Sequence, residues 1–235
     1  MWNGFWRYRY LLWNLVSRDF KLKYRRSVLG VVWSVLNPLL MCLVYWAVFS
    51  SLMDMRGSGI DNFAVFLMCG QLLFNFFMSS VLGAAPLLKK VYIPKYIFPL
   101  EKCCFAMVNC VFSFVALLLV MIFTGAPFHL TLIEAVYPLV TLFFFSLGVG
   151  LFLAAATVFF RDIMHIWSVF TTALLYFSAI FYDPTQMTFS IGGFNMQQII
   201  KLNPMYWYIT GFRRTVMWGI PLDFNMFAVC GICAL

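Results

Sequence analysis

Residues 103–128 read CCFAMVNCVFSFVALLLVMIFTGAPF, 26 consecutive positions without one charged side chain. Wound as an α-helix at about 1.5 Å per residue, this run exceeds the roughly 30 Å of a bilayer's hydrocarbon core. Four more charge-free runs flank it, at 27–53, 62–88, 135–160 and 163–182. They predict spans at 27–53, 62–85, 103–125, 135–160 and 163–182. The last 12 residues, 224–235, are equally apolar. They reach only about 18 Å as a helix, too short to cross. This reads as the first part of a sixth span, cut off by the end of the chain.

Composition agrees with that count. Of 235 residues, 64% are hydrophobic and 10% charged, where a soluble domain carries about 25% charged residues. A soluble fold would lack the polar surface to cover itself. Water-soluble enzymes, nucleic-acid-binding domains and disordered chains are therefore excluded. The fold class is all-α: one polytopic transmembrane domain over 1–235. The seven cysteines lie in apolar runs, where the thiol acts as a small hydrophobe, and none has metal-site spacing with histidine. The basic, aromatic N-terminus lacks the short apolar core of a cleavable signal peptide.

The net charge of +8 gains meaning from its placement. With a cytoplasmic N-terminus, residues 1–26, the loop near 86–102 and the turn at 161–162 fall inside. They hold twelve Lys/Arg against three acids; the other side holds four against five. Cytoplasmic flanks favour Lys and Arg, so +9 against −1 sets the N-terminus inside and an even number of spans. Thr131 and Glu134 have capping-box spacing at the start of the fourth span. Arg161 and Asp162 suit a helix end and a helix N-cap.

Three segments are neither span nor turn. Over 5–26, Trp6, Tyr10, Trp13, Phe20 and Tyr24 share a helical face beside the cations Arg7, Arg18, Lys21 and Arg25. That pattern predicts an amphipathic helix lying in the membrane interface. It serves topology anchoring, or also receives an anionic lipid-linked substrate. The loop 86–99 combines cations, apolar and aromatic side chains and three prolines, where a plain turn uses Gly, Ser and Asn. Val91, Tyr92 and Ile93, between Lys90 and Lys95, suit a knob for a partner's groove; positive-inside anchoring is the plainer alternative. The stretch 184–222 is too polar to span and too apolar to float. It predicts two short helices broken at Asn203-Pro204 that dip into the outer leaflet, where irregular backbone needs protein or water beside it. It lines a pathway exit, or forms an aromatic belt with Arg213 and Arg214 snorkelling.

Catalytic chemistry has no foothold. There are two histidines, no acid in the middle of any span, and no G-x-x-x-x-G-K-[ST] phosphate loop. Energy for uphill movement must come from a partner. The chain offers aromatic faces instead, in 28 Phe, 11 Tyr and 8 Trp. Such faces suit sugar rings as well as lipid and helix packing.

Four stretches, in order, resemble one family. YRRSVLGVVWSVLNPLL (24–40) is similar to the start of the first span in type 2 ABC exporter permeases of the O-antigen, capsule and teichoic-acid class. KKVYIPKYIFPL (89–100) resembles their coupling segment. FRDIMHIW (160–167) with IFY (180–182) is similar to their fourth-to-fifth span connection. LNPMY (202–206) with GFR (211–213) resembles their outer re-entrant pair.

The resemblance implies six spans and a multi-pass subunit of a bacterial cytoplasmic membrane. It implies a second copy of the chain, two copies of a cytosolic ABC ATPase and a lipid-linked glycan substrate. The chain itself would be no enzyme and hold no cofactor, with ATP and Mg on the partner. Lys89, Lys90, Val91, Tyr92, Ile93, Pro94 and Lys95 would contact the ATPase. Arg25, Arg26, Leu29 and Gly30 would flank the substrate's cytoplasmic mouth, and Asn203, Pro204, Tyr206, Arg213 and Arg214 an outer gate. The alternatives are an ABC permease for a drug or small lipid, and a non-transporting membrane enzyme or scaffold.

Overall fold

A computed structural model describes residues 2–25, 27, 29–52, 62–82, 96–160, 162–184, 190–191 and 194–235. Among these the fold is helical. The helices are α1 (Trp2–Tyr24), α2 (Trp33–Leu52), α3 (Phe63–Leu82), α4 (Ile97–Thr124) and α5 (Val136–Phe159). Then come α6 (Ile163–Phe177), α7 (Met196–Lys201), α8 (Pro204–Val216) and α9 (Phe224–Ala234). Two-residue strands, β1 (Ser190–Ile191) and β2 (Phe194–Asn195), pair antiparallel ahead of α7.

Among the described residues, four helical stretches are long and apolar enough to cross a membrane: Gly30–Ser50, Phe63–Val81, Ile97–Thr124 and Leu130–Phe159. The apolar helices α6 and α9 are shorter. The run at 163–182 predicted a longer helix than α6, which stops at Phe177. There the chain enters a turn in which Ala179 takes φ +53°, a left-handed conformation that a regular helix cannot contain.

α3 is the hub, and 78% of its apolar window is buried. It packs on α2, α4, α5 and α8. Its closest neighbour is α4, which offers Cys103, Ala106 and Cys110 at helical spacing, all buried. In lipid, helices gain little from hydrophobicity and much from close approach, which small side chains permit. The cysteines are free thiols, as their apolar surroundings require. Rings fill the remaining space: Phe77 stacks on Phe145 of α5 at 5.7 Å, and Phe114 of α4 meets Phe212 of α8 edge-on at 6.4 Å. α4 ends where Gly125 adopts φ +69° and Ala126 N–H returns to the Met121 carbonyl.

The capping box at Thr131 does not form. Residues Leu130–Ile133 make a 3-10 turn instead. The Thr131 hydroxyl donates to the Thr215 carbonyl at 2.8 Å, and the Glu134 carboxylate accepts from Leu222 N–H at 3.1 Å. Both side chains tie the start of α5 to the chain around α8. Asp162 likewise makes no side-chain cap on α6.

Candidate functional site

The functional side chains fall into two groups, at opposite ends of α3 and α4. At the first end, α1 is fastened to the start of α4. That helix begins at Ile97, six residues ahead of the predicted span, so Glu101 and Lys102 belong to its first turns. Lys102 Nζ donates to the Asp19 carboxylate at 2.5 Å and lies 3.4 Å from Glu101, which is 1% exposed. Arg18 holds the other side of Asp19 at 2.8 Å. Burial alone would raise the Asp19 carboxyl; the hydrogen bonds from Lys102 and Arg18 outweigh it and hold it at about 2. Further on, Phe20 stacks on Phe112 and Lys23 donates to Asn109 at 2.6 Å. These contacts set α1 beside the first half of α4.

The aromatic stripe of α1 therefore has two environments. Tyr10 and Trp13 are 67% and 71% exposed. Phe20 and Tyr24 turn onto the bundle, the Tyr24 hydroxyl pairing with that of Ser34 on α2. Just past α1, Arg25 and Leu29 are exposed, and Gly30 takes φ +49° with nothing beside its Cα, opening the way into α2. Arg26 lies outside the described residues. So does the whole set Lys89, Lys90, Val91, Tyr92, Ile93, Pro94 and Lys95.

At the other end, α8 is buried. Tyr208, Ile209 and Phe212 are fully covered, and the Tyr208 hydroxyl donates to the Cys230 carbonyl of α9 at 2.9 Å. Tyr208 and Phe212 thus pack inside the protein, while Tyr206 and Trp207 of the same helix are half-buried. The break at Asn203-Pro204 has a clear cause. Asn203 Oδ1 caps α8 by accepting from Met205 N–H, while Pro204 takes the first helical position, where no N–H is needed. Asn203 Nδ2 donates to the Phe177 carbonyl and the Ser178 hydroxyl, at 3.1 and 3.0 Å.

Arg213 grips the same turn. It is 3% exposed and does not snorkel. Its guanidinium donates to the Ala179 and Ile180 carbonyls at 2.8 Å, and to the Phe66 carbonyl of α3 at 3.1 and 3.2 Å. It also lies 3.4 Å over the Phe66 ring. Space for it comes from Gly70, where an added Cβ would stand 2.8 Å from Arg213 Nη2. Arg214 behaves differently, pairing with Asp223 just ahead of α9. Tyr206 packs edge-on against Trp207. The structure thus unites Asn203 and Arg213 on the turn after α6, and leaves Arg214 and Tyr206 apart from it.

Sequence reading missed the pin Asp19–Lys102–Glu101 and the seat of Arg213. Asp19 did carry a signal, as the one acid in an otherwise basic N-terminal stretch. Gly70 carried none, because its role depends on a side chain 143 positions away.

These features define a multi-pass helical membrane protein whose buried polar groups join helix to helix. Residues 10–217 match the ABC-2 type transporter family, and the chain belongs to that family. It is similar to a Myxococcus xanthus protein named O-antigen export system permease protein RfbA, 32% identical over 219 residues, 88% of this chain and 80% of that one. Two Klebsiella pneumoniae proteins of the same name are 27% and 25% identical, over 89% of this chain and 81% of theirs.

Proposed function

We propose that the chain is the membrane subunit of an ATP-driven exporter of a lipid-linked polysaccharide, of the O-antigen class. It works in a bacterial cytoplasmic membrane with its N-terminus inside. The single observation that carries this reading is the similarity to permeases named for O-antigen export, which runs through nearly the whole chain. The physical chemistry supports it. No acid sits mid-span to couple ions, and no phosphate loop is present to bind ATP. Work must therefore come from two copies of a separate ATPase holding ATP and Mg.

Residues Lys89–Lys95 dock that ATPase, and a stroke delivered there travels directly into α4. The pin between α4 and α1 makes the two helices move as one piece. Arg25, Arg26, Leu29 and Gly30 frame the mouth, where cations hold a lipid phosphate. Asn203 and Arg213 keep the outer device in register with α6, while Tyr206 and Arg214 stand at its margin. α6 supplies the fifth crossing, and α9 forms part of the sixth. A second copy of the chain and lipid share the bare faces: α2 has only 11% of its window buried, and on α6 Ile166, Val169 and Phe170 are exposed.

The test is depletion of the chain in cells that make a lipid-linked glycan. Surface glycan should vanish while the lipid-linked form accumulates inside. Wild-type chain should restore export and co-purify with the ATPase; Tyr92→Ala and Ile93→Asp should do neither. Unchanged glycan beside altered drug resistance or lipid distribution would select the small-molecule permease instead. ATPase capture by Ile93→Asp at the wild-type level would remove the docking role.

A further inference from the structure

A groove of ≈ 710 Å³ opens among α1, α2, α3 and α4. Its volume falls within the range of small-molecule sites. It lies inside a single chain, flanked by the lower halves of three membrane-length helices. Its lining is unusual for that position, because four side-chain amides face it: Asn37 from α2, Gln71 and Asn75 one turn apart on α3, and Asn109 from α4. Polar groups within the hydrocarbon need partners or a wet cavity.

Several other polar side chains of the lining are already spent. Ser79 and Ser113 donate to carbonyls of their own helices. Asn109 accepts from Lys23 and donates to the Phe105 carbonyl. Gln71 is different. It is 93% buried, and its Oε1 has no hydrogen-bond partner. An acceptor so placed is unfavourable unless something donates to it. Asn37 and Asn75 are exposed along the same groove. The aromatic side chains Trp33, Tyr45 and Phe105 also line it.

That lining selects a ligand class. No carboxylate is present to hold a cation, and the single cation, Lys23, already donates to Asn109. An acyl chain would leave three amides unpaired. Amides each offer a donor and an acceptor to neighbouring hydroxyls, and aromatic faces accept the C–H faces of a saturated ring. We infer that this groove binds a neutral, polyhydroxylated ring, a sugar unit, through Gln71, Asn75 and Asn37. The site is complete within one chain. Its chemistry stands on the groove alone; the identification of its occupant with the exported glycan rests on the function proposed above.

Two arms test it. In the first, the purified chain carries Phe105→p-benzoylphenylalanine and is irradiated in dodecyl maltoside or in dodecyl octaethylene glycol ether. Mass spectrometry should find a maltoside adduct in preference to the glycol ether. The same probe at Phe152, 71% exposed on α5, should show no preference. Gln71→Leu or Asn75→Leu should lower the maltoside adduct about tenfold, the worth of one hydrogen bond to a ligand. No headgroup preference, or adducts indifferent to both substitutions, overturns the sugar site whatever the chain exports.

The second arm irradiates cells with and without an active first glycosyltransferase. A glycan-bearing adduct at Phe105 only in the glycan-making cells identifies the occupant. If depletion stops export and the maltoside arm succeeds, yet no glycan adduct forms, the assignment of the occupant fails by itself. If depletion leaves surface glycan unchanged, the export reading fails and the first arm still decides the groove.

Discussion

α2 and α3 are twins on paper. Each has 20 residues, and their apolar windows have mean hydropathies of 1.9 and 1.7. Yet 78% of the α3 window is buried and 11% of the α2 window. Hydropathy ranks membrane against water and says nothing of protein against lipid, since tails are as apolar as Leu. What separates the two helices is fine structure. α3 carries Gly70 where Arg213 presses close, and its Phe77 stacks on Phe145 of α5. α2 carries Leu40, Leu43 and Trp46 outward, with exposures of 45%, 60% and 44%. One helix is built to be surrounded and the other to be left open on one side.

The strongest way to break this contrast is at Arg213. Arg213→Met strips three carbonyls of their donor beside α3, with an expected loss of about 3–5 kcal/mol. Thermal unfolding in detergent reads it, with Arg214→Met as the contrast at no more than about 1 kcal/mol. Equal shifts would mean that α3 is not anchored by this clamp. Next comes Leu73→Ala, at a fully buried α3 position, which should cost roughly 2–3 kcal/mol by the same measurement. Gly70→Ala should follow with about 1–2 kcal/mol, because a methyl group there crowds the guanidinium.

On the α2 side, Leu43→Ala should leave unfolding within about 0.5 kcal/mol of wild type. It should instead loosen pairing between copies, read by the dimer fraction in nanodiscs. A large unfolding shift would erase the distinction between the helices. The smallest effect concerns α1. The Asp19 carboxyl is held at about 2 against an ordinary 3.8. Its contribution is complete above the ordinary value and disappears as pH falls from about 4 to 2. Hydrogen exchange in α1, corrected for chemical rates, should quicken relative to α3 between pH 5 and pH 3. Asp19→Asn should remove that difference.

Much of the helical layout was legible in sequence because charge-free length is a local property. The break at Asn203-Pro204 was legible too, since capping and proline chemistry act on neighbouring residues. Thr131 and Glu134 mislead for the complementary reason. Their spacing is right for a local box, but the carbonyl of Thr215 and the N–H of Leu222 lie within reach and win both side chains. Arg213 read as an outer-gate residue or a snorkelling cation because its acceptors are carbonyls from residues as distant as Phe66. The groove amides Asn37, Gln71 and Asn75 sit in runs whose apolar average hides them.

One property of the Arg213 clamp reaches past stability. All its acceptors are main-chain oxygens, which every amino acid possesses. The grip itself therefore specifies no side chain at residues 179 and 180, although the left-handed φ of Ala179 and the burial of both still constrain what stands there. Position 213 has no such freedom, and position 70 little more. The joint concentrates its heritable information in two codons while binding segments from three parts of the chain. A saturation scan would show positions 213 and 70 failing through the grip itself, and positions 179 and 180 only through the shape and packing of the turn.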